Sequence, residues 1–158
     1  MYYTTMDSPI GQLVITGTDE AVTGITFGWD KFLQTATKPV ENAEHYILKE
    51  AARQLDQYFK GTIQLFNVPL FLHGTSFQQM VWSKLLEIPY GQTRTYGEIA
   101  KWIGNKKAVR AVGQANRRNP IPIIIPCHRV VGKNKSLTGY AGNQVDKKEV
   151  LLKLEGVL

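Results

Sequence analysis

Tyr96-Gly97-Glu98-Ile99-Ala100-Lys101-Trp102-Ile103-Gly104-Asn105-Lys106-Lys107-Ala108-Val109-Arg110-Ala111-Val112-Gly113-Gln114-Ala115-Asn116-Arg117-Arg118 is the stretch that decides the fold of this 158-residue chain. Thr95-Tyr96-Gly97-Glu98 has the form of a capping box and predicts a helix from Tyr96 to Ile103. Gly104-Asn105 makes a tight break. A second helix is expected from Lys106 or Lys107 to about Arg117, stopped by Asn119-Pro120. Two short helices joined by a glycine-containing turn, the second rich in Lys and Arg, describe a helix-turn-helix. In the second helix Ala108, Ala111, Gly113 and Ala115 are small, while Arg110, Arg117 and Arg118 are long and cationic. Gly113 costs about 1 kcal/mol against alanine in a helix interior, so it needs a packing or contact reason. Small residues let a backbone approach a nucleic-acid groove, and arginines reach phosphates or bases; the same small residues would also pack against the first helix.

Immediately downstream runs Asn119-Pro120-Ile121-Pro122-Ile123-Ile124-Ile125-Pro126-Cys127-His128-Arg129-Val130-Val131, which holds the only cysteine of the sequence. Three prolines hold φ near −65° and push the residues before them toward extended conformations, so the path into Cys127 is stiff. A thiol there is either a small buried hydrophobe or a nucleophile. As a nucleophile it acts only as thiolate, and an apolar surround raises its pKa from about 8.5, so it needs a nearby base or cation. His128 and Arg129 are the local candidates. Adjacent residues diverge on either a strand or a helix, so a bridging water is the natural link between Cys127 and His128. Glu155 is the acid nominated to orient the imidazole. It lies at the end of a last helix expected over Asp146 to Glu155, with Asp146-Lys147-Lys148-Glu149 as its capping box and Gly156 as its stop. A carboxylate in a last turn opposes the helix dipole, so it is either exposed or held by a cation or imidazole.

Upstream the character differs. Met1 to Thr5, Gln12 to Thr18 and Val22 to Phe27 read as strands of a meander, and residues 28–40 as a loop. Ile47, Ala51, Leu55 and Tyr58 recur at helical spacing within a helix expected over Glu41 to Lys60. Phe66 to Leu72 reads as a further strand with Pro69 at an edge. Ser76-Phe77-Gln78-Gln79 reads as a capping box opening the next helix, which Pro89 and Gly91 end. The fold class expected is therefore α+β. A small N-terminal antiparallel sheet with a helix, residues 1–73, precedes a mainly helical domain, residues 74–158, which carries the helix-turn-helix and the cysteine.

Charge divides in the same way. From Val81 to Lys135 there are eleven Lys and Arg against Glu87 and Glu98, a net of +9, while the remainder carries −3. Such asymmetry suggests a polyanionic partner, with a solvated surface as the alternative. No run of about eighteen apolar residues exists, which argues against a membrane span. Met1 to Thr5 lacks the pattern of a secretory signal. One cysteine cannot form an internal disulfide, which fits a reducing, cytoplasmic setting, and with three histidines it excludes a Cys-rich zinc site.

Pro126-Cys127-His128-Arg129-Val130-Val131 resembles the active-site signature of the O6-alkylguanine-DNA alkyltransferases, the methylated-DNA–protein-cysteine methyltransferases. Thr95-Tyr96-Gly97-Glu98-Ile99-Ala100, Arg110-Ala111-Val112-Gly113, Asn119-Pro120 and Thr138-Gly139-Tyr140-Ala141-Gly142 match family motifs in the same order, and Met6-Asp7-Ser8-Pro9-Ile10-Gly11 resembles the family's first hairpin. The resemblance implies that Cys127 accepts an alkyl group from O6-alkylguanine, and from O4-alkylthymine, in double-stranded DNA, each molecule acting once as a monomer without cofactor or metal. It implies that His128 draws the thiol proton through a water and that Glu155 holds the imidazole. Tyr96 would donate toward N3 of the flipped guanine, and Asn119 would buttress the hinge before the active-site segment. Tyr140, Val130 and Ala141 would line the base pocket. Arg110 would fill the space of the extruded nucleotide, with Ala111, Gly113 and Arg117 on the DNA face and the helix-turn-helix in the minor groove. The chain departs from the family pattern by one extra residue between Tyr140 and Glu155, around Asn143-Gln144, and by Gln114 after Gly113. Two other classes remain in view: a non-enzymatic helix-turn-helix protein that senses alkylated DNA, and a Cys-His hydrolase, for which no oxyanion-hole signature is visible.

Overall fold

A computed structural model describes residues 1–35, 38–133 and 145–158, with the side chain of Val145 outside that description. The chain divides into two compact units, Met1–Leu72 and His73–Leu158.

The first unit is built on three strands, β1 (Tyr2–Met6), β2 (Leu13–Gly17) and β3 (Val22–Phe27), paired antiparallel as a meander. A fourth, β4 (Val40–Glu41), joins β1 in parallel, giving the order β3-β2-β1-β4, so the sheet is mixed where the sequence predicts an antiparallel one. The expected loop over 28–40 contains a short helix, α1 (Trp29–Leu33). Five residues are too few to show a period. This helix is held by aromatic packing, with Trp29 and Phe32 at 5.5 and 5.0 Å from the Tyr3 ring.

The long helix α2 (Tyr46–Phe59) starts five residues later than its expected beginning at Glu41, because Val40 and Glu41 are committed to pairing with Tyr2 and Tyr3. Ile47, Leu48, Ala51, Leu55 and Tyr58 form its buried face. Leu48 lies against the sheet where Gly17 has no side chain: a Cβ there would sit 3.0 Å from the Leu48 Cδ2. Of the strand expected over Phe66 to Leu72 only one bridge forms, Val22 to Leu70. The Val22 amide donates to the Pro69 carbonyl and the Phe71 amide to the Val22 carbonyl, so Pro69 accepts where it has no proton to give.

The second unit packs α3 (Ser76–Leu85), α4 (Tyr96–Trp102) and α5 (Val109–Arg117) around Val81, Trp82, Leu85, Ile99, Ala100, Val112 and Ala115. The first capping box is one residue earlier than expected. Thr75 caps α3 and Gln78 answers it, placing Ser76 inside the helix. The capping box of Thr95 and Glu98 stands as expected. α5 begins at Val109, beyond the expected Lys106 or Lys107. Two parallel two-residue strands, β5 (Arg94–Thr95) and β6 (Val130–Val131), bring the start of α4 beside the cysteine segment. The last helix, α6 (Val145–Leu154), begins before Asp146, so that residue lies within the first turn and does not cap it. Among the described residues no helix is long and apolar enough to cross a membrane, and no cluster of three His, Cys, Asp or Glu is placed to hold a metal ion.

Candidate active site

Cys127 sits at the start of a 3-10 turn, Cys127–Arg129, entered through an inverse γ-turn at Pro126. Pro126 has φ −80° and ψ 63°, and the Cys127 amide donates across it to the Ile125 carbonyl at 2.7 Å. Proline's fixed φ is already near the value this turn needs, which is how the sequence aims the thiol. Upstream, Ile123 is held at φ 76°, costly for a β-branched residue. Two features hold it there. Its side chain is buried, and Asn119 braces the loop from inside, donating to the Ile125 carbonyl at 2.8 Å and accepting from the Ile121 amide at 2.9 Å. Asn119→Ala removes both bonds and is expected to lower stability by about 1–3 kcal/mol, read from urea midpoints.

Successive residues of a 3-10 turn point about 120° apart, so the thiol and the imidazole leave the backbone in different directions. His128 is fully buried, and its Nε2 lies 2.6 Å from Glu155 Oε2. Glu155 is neither exposed nor left to oppose its helix alone. Arg129 donates to it through Nε at 2.8 Å and Nη2 at 3.1 Å, and the Gly91 amide donates to Oε1 at 3.1 Å. Gly91 holds φ 79°, a conformation that lets the loop after α3 turn its amide onto the carboxylate. The remaining Arg129 donor, Nη1, reaches the Ile88 carbonyl at 2.7 Å.

Burial alone would raise the Glu155 carboxyl, but the hydrogen bonds and charges of His128 and Arg129 outweigh it and hold the group well below the usual carboxylate range. Burial holds the His128 imidazole low, against the pull of Glu155. With the acid ionised, the neutral ring donates from Nε2, which leaves Nδ1 with the lone pair a base needs. Burial pushes the Cys127 thiol up to about 12, opposed by the Asn119 side chain, the Lys148 ammonium and the Cys127 and His128 backbone groups. Burial therefore favours the protonated thiol at rest, so forming the thiolate calls on the base beside it.

Cys127, His128 and Glu155 thus come together with Asn119 beside them. Tyr96, the first residue of α4, is half-buried nearby. A Cβ on Gly113 would lie 3.9 Å from its ring, an ordinary contact, so nothing among the described residues demands glycine there. On α5, Arg110, Ala111 and Arg117 share the exposed face with Gln114 and Arg118. Ala115 is buried, and its carbonyl accepts from the Trp82 indole at 2.8 Å, so the small residues of this helix serve two sides. Val130 is buried, with its carbonyl taken by Lys148. Tyr140 and Ala141 lie outside the described residues.

Residues 1–72 match the family model described as 6-O-methylguanine DNA methyltransferase, ribonuclease-like domain, and residues 76–157 the one described as 6-O-methylguanine DNA methyltransferase, DNA binding domain. The chain belongs to the 6-O-methylguanine DNA methyltransferases. The methylated-DNA–protein-cysteine methyltransferase of Methanosarcina acetivorans is 54% identical over 157 residues, covering 99% of each chain. The constitutive methylated-DNA–protein-cysteine methyltransferase of Bacillus subtilis is 46% identical over 159 residues, covering 99% of this chain and 96% of its own. Among solved structures, the Mycobacterium tuberculosis OGT in complex with DNA matches with a TM-score of 0.88 at 45% identity, over 98% of this chain and 92% of that one.

Within this methyltransferase frame, two residues take places that their sequence neighbourhood does not assign. Arg129 reads in sequence only as a neighbouring cation, and it proves to be the clamp on Glu155. Lys148 reads as part of a cap, yet it is fully buried. Its signal is spacing: Lys148, Leu151, Leu152 and Glu155 fall at i, i+3, i+4 and i+7, one face of α6, and all four are buried.

Proposed function

We propose that this methyltransferase repairs DNA by moving the alkyl group of O6-alkylguanine, and of O4-alkylthymine, directly and irreversibly onto Cys127. The observation that carries this reading is the closed His128–Glu155–Arg129 array beside the chain's one cysteine, which immediately follows the helix-turn-helix. An O6-alkyl group inside a stacked duplex is out of reach, so the base is flipped at a cost of a few kcal/mol. His128 then takes the thiol proton through a water, Glu155 fixing the ring so that Nδ1 is the base. The sulfur attacks the alkyl carbon as the bond to O6 breaks, and Tyr96 donates a proton toward N3 of the departing guanine. The thioether has no leaving route, so each molecule acts once.

The basic, exposed face of α5 is the DNA surface in this reading, entering the minor groove with Arg110 in the gap left by the flipped nucleotide and Ala111, Gly113 and Arg117 along it. Val130, Tyr140 and Ala141 line the base pocket, and one copy of the chain suffices. The M. tuberculosis complex with DNA and the names of the relatives support it. Arg110→Ala is expected to slow repair about tenfold, equivalent to some 1.4 kcal/mol of the unstacking cost left unrecovered, measured by single-turnover transfer. The deciding experiment incubates the protein with duplex DNA containing O6-methylguanine and maps the peptides by mass spectrometry. One added methyl on the Cys127 peptide is the expected result; an unmodified protein would overturn the proposal.

A further inference from the structure

Glu155 is held from two sides. One is the cysteine turn; the other is the segment between α3 and β5, Ile88 to Gly91, to which the reaction proposed above gives no task. The Ile88 carbonyl accepts from Arg129 Nη1 at 2.7 Å, and the Gly91 amide donates to Glu155 Oε1 at 3.1 Å. Tyr90, between them, engages the same cluster with both parts of its side chain. Its hydroxyl donates to the carbonyl of Leu154, the residue before the acid, at 3.3 Å, and its ring faces the Arg129 guanidinium, whose carbon lies 5.7 Å from the ring centre. Glu155 and Ile88 take the edges of that guanidinium. Tyr90 covers its face, the surface that a planar cation offers to an aromatic ring. The Arg129 side chain is only 8% exposed while Tyr90 is half-buried, so the ring is part of what separates the ion pair from solvent.

One oxygen of the acid is shared. Glu155 Oε2 accepts from His128 Nε2 at 2.6 Å and from Arg129 Nη2 at 3.1 Å, so the place of the guanidinium bears on how the acid holds the ring. Resting on the alkyl-transfer reading for its purpose, we infer that Tyr90 is a positioning residue for the reaction: its ring, laid over Arg129, fixes that cation on Glu155 and thereby keeps the His128 imidazole set as the base for Cys127. Charges attract more strongly in a dry cluster than in water, and a cation over an aromatic face gains most when it is desolvated. Without the ring, water reaches the guanidinium and the side chain gains room to leave the carboxylate. Tyr90 acts through Arg129 and Glu155, and it gives and takes no proton.

The consequence is readable in the charge of one imidazole. Burial holds His128 low, Glu155 pulls it up, and the positive charges of Arg129 and Lys148 push it down. Replacing the Tyr90 ring weakens the push of Arg129 and lets water into the cluster, and both changes favour imidazolium. The direct bond from His128 to Glu155 joins two side chains with no exposed surface, so it is the contact that water reaches last. The ionisable groups around the imidazole are Cys127 and Arg129 on its own turn, Lys148 and Glu155 on α6, Tyr90 behind the arginine and Tyr96 at the start of α4. The inward residues of α3 are apolar, Val81, Trp82 and Leu85, and its Lys84 is engaged with Glu87 and over Trp102. Burial pushes Cys127 up to about 12, raises Tyr90 and lowers Lys148 to about 8, while Glu155 stays well below its ordinary range. Of these shifted groups, His128 is the one that changes charge between about pH 5 and 7. A base must be neutral to accept a proton, so a His128 titration moved upward carries the acid limb of the transfer rate upward with it.

The test follows the His128 ring resonances by NMR from about pH 5 to 7 in the protein without DNA. On the same preparations it measures the acid limb of single-turnover transfer from duplex DNA containing O6-methylguanine. Tyr90→Leu is expected to shift the His128 titration up by about half a pH unit, so that the ratio of protonated to neutral ring rises about threefold at each pH, and to move the transfer limb equally. Tyr90→Phe keeps the ring over the guanidinium and should leave both unchanged. A titration unmoved or lowered in Tyr90→Leu, or moved as far in Tyr90→Phe, would overturn the inference. A residue that merely stabilises the fold alters unfolding midpoints and leaves this titration alone. Should Tyr90→Leu fail to fold, pentafluorophenylalanine placed at Tyr90 keeps the shape of the ring while reversing the charge of its face. The His128 titration is expected to rise there too, and an unchanged one would sink the idea. Because the NMR measurement uses no DNA, a shifted titration in a protein that transfers no methyl group counts against the alkyl-transfer reading, whereas normal transfer with an unshifted titration counts against Tyr90.

Discussion

Glu155→Ala is expected to cost about 3–5 kcal/mol of stability, the size found when one partner of a buried ion pair is removed and the other is left behind. The carboxylate serves donor groups of three residues from two places in the chain: the imidazole of His128 and the guanidinium of Arg129 on the cysteine turn, and the amide of Gly91. Its loss strands a buried cation and a buried ring nitrogen together. Thermal or urea unfolding of the variant measures the effect directly. The pH dependence provides a second reading. Glu155 has a folded pKa below its unfolded value near 4.5, so its contribution is fully present above about pH 4.5 and is lost as the pH falls toward the folded value. His128 is also depressed, from 6.5, so the unfolded chain binds its proton first and acidification below about pH 6.5 already lowers stability. Both groups push the same way. The parent should therefore lose stability steadily from about pH 6.5 downward, and Glu155→Ala should lack the part of that slope below about pH 4.5. An acid limb identical in the two proteins would show that the carboxylate is not ionised in the folded state.

Cys127→Ser should abolish alkyl transfer while leaving affinity for lesion-containing duplex within about twofold of the parent. The oxygen can take the place of sulfur beside Asn119 and the turn amides, so docking is preserved. What disappears is the polarisable sulfur, whose thiolate is intrinsically far more nucleophilic than a neutral hydroxyl. Gel-shift titration and a single-turnover transfer assay, run on the same preparations, separate the two effects. A purely lesion-sensing protein would be indifferent to this substitution in both assays. Residual transfer in Cys127→Ser, with modification found at another residue, would remove Cys127 from the chemistry altogether.

Much of this architecture is legible in the residues. The meander can be read because Val, Ile, Thr and Tyr cluster between short polar turns, and the helix-turn-helix because Thr95 and Glu98 advertise a start and Gly104 a stop. The pairing of Glu155 with His128 is within reach because an acid at a helix C-terminus needs a reason to be there. Other features depend on contacts between residues far apart in the chain. The helix α1 exists because Tyr3 offers its ring to Trp29 and Phe32, and no window around residue 30 contains that information. The late start of α2 reflects the pairing of Val40 and Glu41 with the first strand, which overrides their place in a helical pattern. Lys148 is hidden for a chemical reason. A lysine between Asp146 and Glu149 reads as surface, and only the neighbours of α6 reveal that its ammonium points inward.

The end of α5 is tied to the cysteine by the Asn116 amide, which donates to the Cys127 carbonyl at 3.3 Å, and by the Asn119 brace. The helix that would read the DNA and the atom that would react are consequently parts of one rigid lever. In that reading a small tilt of the helix in its groove would be passed on to the sulfur, where an error of about 1 Å from the productive geometry can cost a hundredfold in rate. Substitutions on the buried side of α5, at Val112 or Ala115, should then leave the dissociation constant almost alone and appear in the transfer rate. The tolerance of such a protein would be set by mechanical alignment more than by binding strength.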